Sequence, residues 1–335
     1  MLILNPLFTA HMVFAANRPV RIFGTGNGTG TVDFAGHQYT VTASDNCWNL
    51  ELPPMEYGGP YTLTVSSEDQ TLILDDIYIG EVYLLAGQSN MQFKLWESNT
   101  PPDLWHSNEK LRLFSTRRLE EGDRYTPEDG WLCCTKENVG DWSAIGYLAG
   151  DLLSRKKDIA VGLITCYQGA SVIEGWVPKN TFSNAGIALP DSGKFYDHFE
   201  PTYTIWNSDG ALYEFALGQV LPFSLTCVLW YQGESDCSVE EGAIYDQELC
   251  LLIDSWRKGF SLPSLPFLVI QIADNLEPTR PGWKLIQQAQ LKVPSLRENV
   301  RTVICADICE NYEIHPKTKD KLAERIVDTL LDANY

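Results

Sequence analysis

A serine follows a glycine-terminated apolar run, in an arrangement suited to nucleophilic chemistry. The run 81–86 ends at Gly87, and Ser89 comes two residues later. Gly87 permits a tight turn, which places Ser89 at the start of a helix predicted from residue 88 onward. A serine at that point is exposed, and its backbone N–H is directed toward a developing oxyanion. Because serine also commonly caps helices, this segment alone leaves a nucleophile and a simple cap as equal alternatives.

Two further strand ends offer donors for such an oxyanion. Gly169 follows an apolar run, and a glycine lets its N–H approach a substrate oxygen closely, although a simple turn is the alternative. Gln232 follows another such run, and its side-chain amide can donate a hydrogen bond. Glu234 and Asp236 come next, and paired carboxylates are also what a retaining glycosidase requires. The intervening glycine indicates that the strand turns there, which leaves the glycosidase alternative without further support.

Acyl transfer to a serine needs a base that is neutral near pH 7, and histidine is the natural one. The chain has five histidines. His315 follows a predicted strand and precedes a predicted helix, which is where a catalytic base belongs. A helix cap or a solvent-exposed ring is the alternative. The other four histidines lie in a predicted hairpin, near the N-terminus or in loops, and they are His11, His37, His106 and His198.

All of these segments lie in the part of the chain that begins near residue 77. From there, strand-like runs alternate with helical patterns, which predicts a parallel sheet with helices on both faces and ligands at the carboxyl ends of its strands. Residues 1–76 show short alternating runs between glycine-rich turns, typical of a small β-sandwich. We therefore predict two domains, 1–76 and 77–335, with the unpatterned residues 178–210 as a candidate substrate lid.

Composition narrows the classes of function. The 335 residues carry 25 basic and 44 acidic side chains, a formal net charge of −19. An acidic surface repels phosphate backbones, which argues against nucleic acid as the main partner and disfavours docking on anionic membranes. The N-terminus lacks the positive region of a signal peptide and no apolar run is long enough to span a membrane, so we predict a cytoplasmic protein. The nine cysteines show no zinc-site spacing, which predicts reduced thiols and no metal site.

Together the strand-end motifs resemble those of the SGNH-hydrolase superfamily, and more closely its sialate O-acetylesterase branch. The motifs are GQSNM at 87–91, the glycine turn at 169–171 that leads to IEGW, WYQGESD at 230–236 and IHP at 314–316. The likeness covers almost the whole chain, because the opening stretch resembles the β-rich N-terminal domain of those esterases. It implies an SGNH-type three-layer parallel-sheet hydrolase domain of the α/β class with a small N-terminal β-sandwich domain.

The resemblance also implies roles for individual residues. Ser89 is the nucleophile, and His315 is the base that takes its proton and later activates water. The oxyanion hole consists of the backbone N–H groups of Ser89 and Gly169 together with the side chain of Gln232. No metal or organic cofactor is implied. Further residues of the same motifs are expected to contact the substrate, and they are Gln88, Asn90, Glu174, Trp176, Tyr231 and Glu234.

The sequence departs from the pattern of the branch in three places. A branch-typical aspartate two residues before the histidine is replaced by Glu313, so Glu313, Asp307 or a backbone carbonyl is left to orient the ring of His315. The usual Gly-Gly-Thr is Gly-Ala-Ser at 169–171, and the usual asparagine after GES is Asp236. These changes leave the acid and the substrate preference open, but not the class of reaction.

The resulting expectation is a serine carbohydrate O-acetylesterase that acts on an O-acetylated sugar, with O-acetylated sialic acid as the first candidate. The alternatives are an acetylesterase of xylan or mannan fragments and, from another class, a catalytically inactive carbohydrate-binding protein. Trp206, in the predicted loop, is a further candidate to line the sugar site. The net charge of −19 fits a neutral acetylated oligosaccharide more simply than an anionic sialic acid, which would need local basic or amide donors.

Overall fold

Strands and helices alternate along most of the chain in the structure, a computed structural model that describes residues 1–68, 70–119, 130–189, 205–276 and 280–333. The strands are β1 (Leu2–Leu4), β2 (Val13–Ala15), β3 (Val20–Gly26), β4 (Gly28–Phe34), β5 (His37–Ala43), β6 (Cys47–Leu52), β7 (Gly58–Ser67), β8 (Gln70–Gly87), β9 (Asn108–Ser115), β10 (Trp131–Cys134), β11 (Val161–Tyr167), β12 (Cys227–Tyr231), β13 (Phe267–Ile270) and β14 (Val300–Val303). The helices are α1 (Ser89–Gln92), α2 (Ala144–Lys157), α3 (Thr181–Asn184), α4 (Ala211–Phe215), α5 (Val239–Gly242), α6 (Tyr245–Gly259), α7 (Trp283–Lys292) and α8 (Asp320–Ala333).

A large mixed sheet carries the predicted site. Part of it has the strand order β10-β9-β11-β8-β12-β13-β14. The six strands β9, β11, β8, β12, β13 and β14 run parallel to one another, and the edge strand β10 is antiparallel to β9. Every residue of β12 and β13 is buried, as expected for parallel strands that are covered on both faces. Since β9 and β11 lie on one side of β8 and β12 to β14 on the other, the winding reverses at β8. Such a reversal leaves a crevice at the carboxyl ends of the strands.

The central strand β8 also joins the N-terminal strands to this sheet. Its first part pairs antiparallel with β7 and its middle pairs parallel with β2, whereas its end pairs with β11 and β12. Strands β4 and β5 extend the sheet through β7, and β1, β3 and β6 form a separate three-stranded sheet. The predicted mixed α/β class is confirmed. The domain boundary at 76/77 falls inside β8, and the N-terminal sandwich and the three-layer arrangement stay predictions.

The helices show how well the sequence patterns predicted the elements. Helix α2 spans the predicted segment, and the side chain of Ser143 caps it by accepting a hydrogen bond from the N–H of Gly146 at 3.2 Å. The helical pattern predicted over 211–223 yields only the five residues of α4 and a short 3-10 turn, and Pro222, which has no N–H, prevents a continuation beyond that turn. Helix α7 was not predicted. Among the described residues, no helix has the length and apolarity needed to cross a membrane.

The predicted loop 178–210 is described only in part. Its first residues include the one-turn helix α3, and residues 205–210 lead into α4. Residues 190–204, which make up most of the predicted lid, lie outside the described residues.

Candidate active site

Ser89 and His315 meet at the carboxyl edge of the large sheet. Strand β8 ends at Gly87 with φ = +129°, and a Cβ there would lie 2.1 Å from the carbonyl oxygen of Tyr231, so only glycine fits this turn. Ser89 begins α1 and is half-buried. His315 lies in the loop between β14 and α8, and its Nε2 is 2.7 Å from Ser89 Oγ. The structure thus brings together two predicted residues that are 226 positions apart.

The surroundings of His315 favour its neutral form. Burial lowers the pKa of His315, and the nearby ammonium group of Lys319 lowers it further. The carboxylates of Glu97 and Glu313 oppose this shift of the pKa without cancelling it. The ring of Phe93 covers the imidazole at a centroid distance of 6.1 Å. A neutral imidazole at hydrogen-bond distance from a hydroxyl is able to accept its proton.

Asn90 ties the serine helix to the histidine loop from behind the site. Its side chain is 1% exposed, and Nδ2 donates to Glu234 Oε1 at 2.6 Å and to the carbonyl of Ile314 at 2.8 Å. Its Oδ1 accepts from Lys319 Nζ at 2.8 Å. All of these contacts are internal, and the predicted contact of Asn90 with substrate stays a prediction. The contacts of Asn90 connect α1 to the residue before His315.

Gln88 and Glu234 are also buried supports. Gln88 Oε1 lies 3.3 Å from the backbone N–H groups of both Gly233 and Ser235, which holds the turn after β12. Glu234 is 1% exposed, and burial raises the pKa of its carboxyl group, a shift that the hydrogen bond from Asn90 opposes. Both side chains are buried, and their predicted substrate contacts stay predictions.

The three predicted oxyanion donors differ in the hydrogen bonds that they already make. Gly169 lies beside the nucleophile, since a Cβ built on it would be 3.9 Å from Ser89 Cβ. Its N–H donates to Gln92 Oε1 at 3.0 Å, and within the described part of the chain no acceptor lies on the N–H of Ser89. The side chain of Gln232 is fully buried, and its Nε2 donates to the carbonyl of Ser171 and to Asp236 Oδ2. Both donor hydrogens of this amide have internal partners, and the oxyanion-hole role of Gln232 stays a prediction.

The aromatic residues predicted to line a sugar site belong to the core. Trp176 is fully buried, donates from Nε1 to Ser171 Oγ at 3.0 Å, and packs edge-on against Trp230. Tyr231 is fully buried too, and Trp206 is 5% exposed. Glu174 shares the 3-10 turn of Trp176 and is 3% exposed. All four side chains lie inside the protein, and their predicted contacts with a sugar stay predictions.

Neither candidate acid bonds to His315. Asp307 forms a bidentate pair with Arg325, with distances of 2.6 and 2.9 Å. Glu313 is half-buried, and among the described residues it accepts no side-chain hydrogen bond from His315. The carboxylate of Glu313 acts on the imidazole through space, by raising its pKa. Orientation of the ring therefore depends on the backbone of the loop, which Asn90 anchors at Ile314.

The carboxylates of the glycosidase alternative have internal partners. Glu234 is held by Asn90, and Asp236 Oδ1 accepts from the N–H of Ile173 at 3.2 Å. Both carboxylates are about 1% exposed. Two carboxylates that flank a glycosidic bond must reach it, so this geometry disfavours the glycosidase alternative.

One group of side chains has the composition of a metal site. His11, Asp76 and Cys133 each place a ligand atom within 4.8 Å of the others. Asp76 lies 11 residues before the end of β8, far from Ser89, and its carboxylate already accepts from Arg112 at 3.1 Å and from His11 at 2.7 Å. The sequence did not indicate this group, because its members come from three distant segments. The guanidinium of Arg112 supplies the positive charge that a cation would supply there.

A cavity with two basic residues lies beside the serine helix and was missed by the sequence analysis. Its volume is about 360 Å³, and it is lined by Lys94, Arg118, Asp141 and the ends of β9 and β11, including Tyr167. Lys94 comes two residues after Gln92, and its Nζ donates to the carbonyl of Asp141. Burial lowers the pKa of Lys94, the carboxylate of Asp141 opposes this, and the guanidinium of Arg118 adds to it. The two cations therefore approach one another in one cavity.

Lys319 is the other functional residue that was missed. It is fully buried, its ammonium lies 4.9 Å from the ring centroid of Phe93 and 5.4 Å from that of Tyr231, and burial lowers its pKa to about 8. A lysine in the first turn of the predicted helix 317–334 gave no sign of burial. The only available signal was its place in the segment that resembles the IHP motif of the esterases.

Comparison with known proteins adds the relatives of this chain. The family model described as carbohydrate esterase, sialic acid-specific acetylesterase matches residues 79–331. A human sialate O-acetylesterase is 27% identical over 346 residues, which cover 91% of this chain and 65% of the human protein. A probable carbohydrate esterase from Arabidopsis thaliana is 25% identical over 222 residues, covering 62% of this chain and 74% of that protein. The chain thus spans about two thirds of the length of the human relative.

A solved structure shares the fold. A structure described as a novel carbohydrate acetylesterase from Xanthomonas citri superposes with a TM-score of 0.87 at 24% identity, covering 99% of this chain and 75% of the other. This likeness extends over both the N-terminal strands and the large sheet. Because the family model covers most of the chain, including Ser89 and His315, the chain belongs to the sialic acid-specific acetylesterase family of carbohydrate esterases, a family of carboxylic ester hydrolases.

Proposed function

We propose that the protein is a serine carbohydrate O-acetylesterase that releases acetate from an O-acetylated sialic acid. The observation that carries this proposal is the contact of 2.7 Å between Ser89 Oγ and His315 Nε2 at the reversal point of the sheet, in a chain of the carbohydrate esterase family. The lowered pKa of His315 supports it, because the base must be neutral when substrate binds.

In this mechanism Ser89 attacks the acetyl carbonyl while His315 Nε2 takes the hydroxyl proton. The tetrahedral intermediate collapses when the sugar hydroxyl leaves with the proton from His315. Water then enters, gives a proton to His315 and attacks the acetyl-serine, which releases acetate and restores the enzyme. Asn90 keeps the two reacting side chains at this distance through its hydrogen bond to the carbonyl of Ile314.

The oxyanion is stabilised by backbone donors in this proposal. The N–H of Ser89 is available, whereas the N–H of Gly169 is occupied by Gln92 Oε1 at 3.0 Å. Substrate binding must therefore displace the side chain of Gln92, and the developing negative charge is the stronger acceptor. Each such donor contributes roughly 3–4 kcal/mol to transition-state stabilisation.

The proposed substrate class rests on Lys94 and the cavity that it lines. A sialic acid carries a carboxylate, and the bulk charge of −19 opposes its approach. Lys94 supplies a basic donor in this cavity, two residues after the helix that carries Ser89. Acetylated xylan or mannan fragments are neutral and would gain nothing from this cation. A basic donor at this position therefore favours the anionic sugar.

The reaction is tested by acetate release from p-nitrophenyl acetate. Ser89→Ala and His315→Ala should each lower kcat by at least about 10³-fold while circular dichroism stays unchanged, since deletion of a nucleophile or base costs several orders of magnitude. Ser98→Ala and His106→Ala are the matched controls. Ser98 Oγ donates to the carbonyl of Leu95, and His106 Nε2 bonds to Asp151 Oδ1, so these contacts involve neither Ser89 nor His315. Activity of Ser89→Ala above about one hundredth of the wild type would exclude the serine mechanism.

The substrate is tested with a panel of acetylated sugars. We expect Lys94→Gln to raise KM for 9-O-acetylated sialic acid about tenfold, as for the loss of one charge-assisted contact, and to leave KM unchanged for the methyl ester of the same sugar. Lys110→Gln, which breaks an exposed pair with Asp158, is the control. Faster turnover of acetylated xylo- or manno-oligosaccharides by the wild type, with no effect of Lys94→Gln, would replace sialic acid by a neutral sugar.

A further inference from the structure

Two cysteines lie one turn apart at the start of the loop that carries His315. The N–H of Cys309 donates to the carbonyl of Cys305 at 2.9 Å, and the N–H of Ile308 donates to the same oxygen at 3.0 Å. This is a single helical turn between β14 and α8, and it does not continue into a longer helix. The two thiols interact closely enough for each to shift the pKa of the other. The mechanism proposed above uses neither of them.

The surroundings of the two thiols differ. Cys305 is fully buried, and its Sγ donates to the carbonyl of Gln271 at 3.0 Å. Cys309 is half-buried, and its Sγ lies 3.7 Å from the carbonyl of Thr318. The interaction with the Cys305 thiol lowers the pKa of the Cys309 thiol, burial opposes this, and the ammonium of Lys319 lowers it again. The interaction with Cys309 and burial both raise the pKa of Cys305. Cys309 is thus the accessible member of the pair and the one that ionises more readily.

We propose that Cys305 and Cys309 are a redox-active pair, which a low-molecular-weight disulfide such as oxidised glutathione converts into an intramolecular disulfide, and that this bond shifts the loop of His315. Cys309 is the attacking thiol and Cys305 is the resolving thiol. The link to His315 rests on the esterase function proposed above, whereas formation of the disulfide does not.

The exchange is balanced in two steps. The Cys309 thiolate attacks one sulfur of oxidised glutathione, the S–S bond of glutathione breaks, and one glutathione thiolate leaves. Cys305 gives its proton to that thiolate and attacks the Cys309 sulfur, which releases the second glutathione. The pair loses two electrons and two protons, and oxidised glutathione is reduced to two molecules of glutathione.

The geometry permits closure and connects it to the site. Residues four apart in a helical turn have Cβ atoms about 5–6 Å apart, and a disulfide needs about 3.8 Å, so the turn must tighten by roughly 1–2 Å. Cys309 is followed by Glu310, whose carboxylate accepts from the N–H and the hydroxyl of Thr318 at 3.2 and 2.8 Å. These bonds close the base of the loop 310–318. Tightening of the turn therefore moves the loop that holds His315 Nε2 at 2.7 Å from Ser89 Oγ.

The pair itself is tested by mass spectrometry on the whole protein in a Cys47→Ser background, which removes an exposed thiol. After treatment with oxidised glutathione and digestion with trypsin, the peptide 302–317 contains both cysteines. We expect this peptide to lose the mass of two hydrogens in most molecules and to recover it with dithiothreitol. A peptide that stays fully reduced, while the protein remains folded, would overturn the proposal.

Single variants test the order of attack. Cys305→Ser should accumulate glutathione on Cys309, because the resolving thiol is missing, and Cys309→Ser should leave Cys305 unmodified. Cys250→Ser, which removes a buried thiol of α6, is the matched control and should behave like the parent protein. Equal modification of Cys305 and Cys309 in the two single variants would contradict the assigned order.

The effect on the site is tested by kinetics. The oxidised protein should release acetate from p-nitrophenyl acetate at least threefold more slowly than the reduced protein, and Cys309→Ser should show no response to oxidised glutathione. An unchanged rate in a protein whose disulfide is confirmed by mass would overturn the link to His315. A reduced protein without esterase activity would instead refute the proposed function and leave the result for the disulfide intact.

Discussion

Removal of the Asn90 side chain should destabilise the protein more than the size of the residue suggests. The substitution Asn90→Ala deletes two hydrogen bonds to charged groups, Glu234 at 2.6 Å and Lys319 at 2.8 Å, and one to the carbonyl of Ile314 at 2.8 Å. Hydrogen bonds to charged groups contribute about 1.5–3 kcal/mol each and neutral ones about 1 kcal/mol, so the sum is about 4–7 kcal/mol. Glu234 can relieve part of this loss by taking up a proton, because burial already raises its pKa. We expect a loss of at least about 3 kcal/mol.

The assay is equilibrium unfolding in urea at pH 7, followed by tryptophan fluorescence. The control is Asn99→Ala, which removes one exposed contact of 3.3 Å to Glu310 and should change the free energy of unfolding by less than about 0.5 kcal/mol. A loss below about 1 kcal/mol for Asn90→Ala would refute the view that this side chain carries the connection between α1 and the histidine loop.

The variant Asn90→Asp separates charge from size. It keeps an acceptor for Lys319 but places a second carboxylate beside Glu234, and two close carboxylates raise the pKa of the pair in the folded protein. A carboxyl group with a raised folded pKa binds more protons folded than unfolded, so stability must fall as pH rises through that pKa. We expect Asn90→Asp to be nearer to the wild type at pH 5 than at pH 8. The same deficit at both pH values would contradict this account of the network.

Three further outcomes follow from the geometry of the site. In a pH series, kcat/KM should fall toward acid with a midpoint below pH 6.5, because the pKa of His315 is lowered and protonation removes the base. A midpoint above pH 6.5 would contradict the argument that burial lowers the pKa of His315. Glu313→Gln should lower kcat less than about tenfold, because no hydrogen bond joins this carboxylate to the ring, and a loss above about 10³-fold would make it the orienting acid. Gly87→Ala should abolish soluble folded protein, as judged by gel filtration. Gly28→Ala, at a φ of +87° but with open space around the new Cβ, should cost about 1 kcal/mol.

The meeting of Ser89 and His315 was predictable because of the way parallel sheets are built. Residues that follow successive parallel strands share one edge, so motifs at strand ends converge even when they are 226 positions apart. The alternation of strand and helix patterns identified most of the sheet. The family was also correctly identified from these motifs. What the motifs determined was which residues come near the crevice.

The sequence could not determine which way each side chain of a motif points. Tyr231 and Gln232 lie at the carboxyl end of β12, beside the crevice, yet the side chains of both are fully buried in the protein interior. Lys319 looks like a solvated lysine in the sequence but is fully buried against Asn90. The cavity of Lys94 and Arg118 arises from segments with no shared motif. These properties depend on packing between distant segments, which local patterns do not encode.

The continuity of β8 has a consequence for the synthesis of the chain. The strand pairs early with β2 and β7, but its final neighbour β12 begins at Cys227, about 140 positions beyond Gly87. At about 5–20 residues per second, the ribosome needs roughly 7–28 s to deliver that neighbour. During this interval the apolar end of β8 has a bare edge, which is a template for wrong pairing with other chains. The N-terminal strands, which bind the other end of β8, are then in a position to hold it folded until its partners emerge.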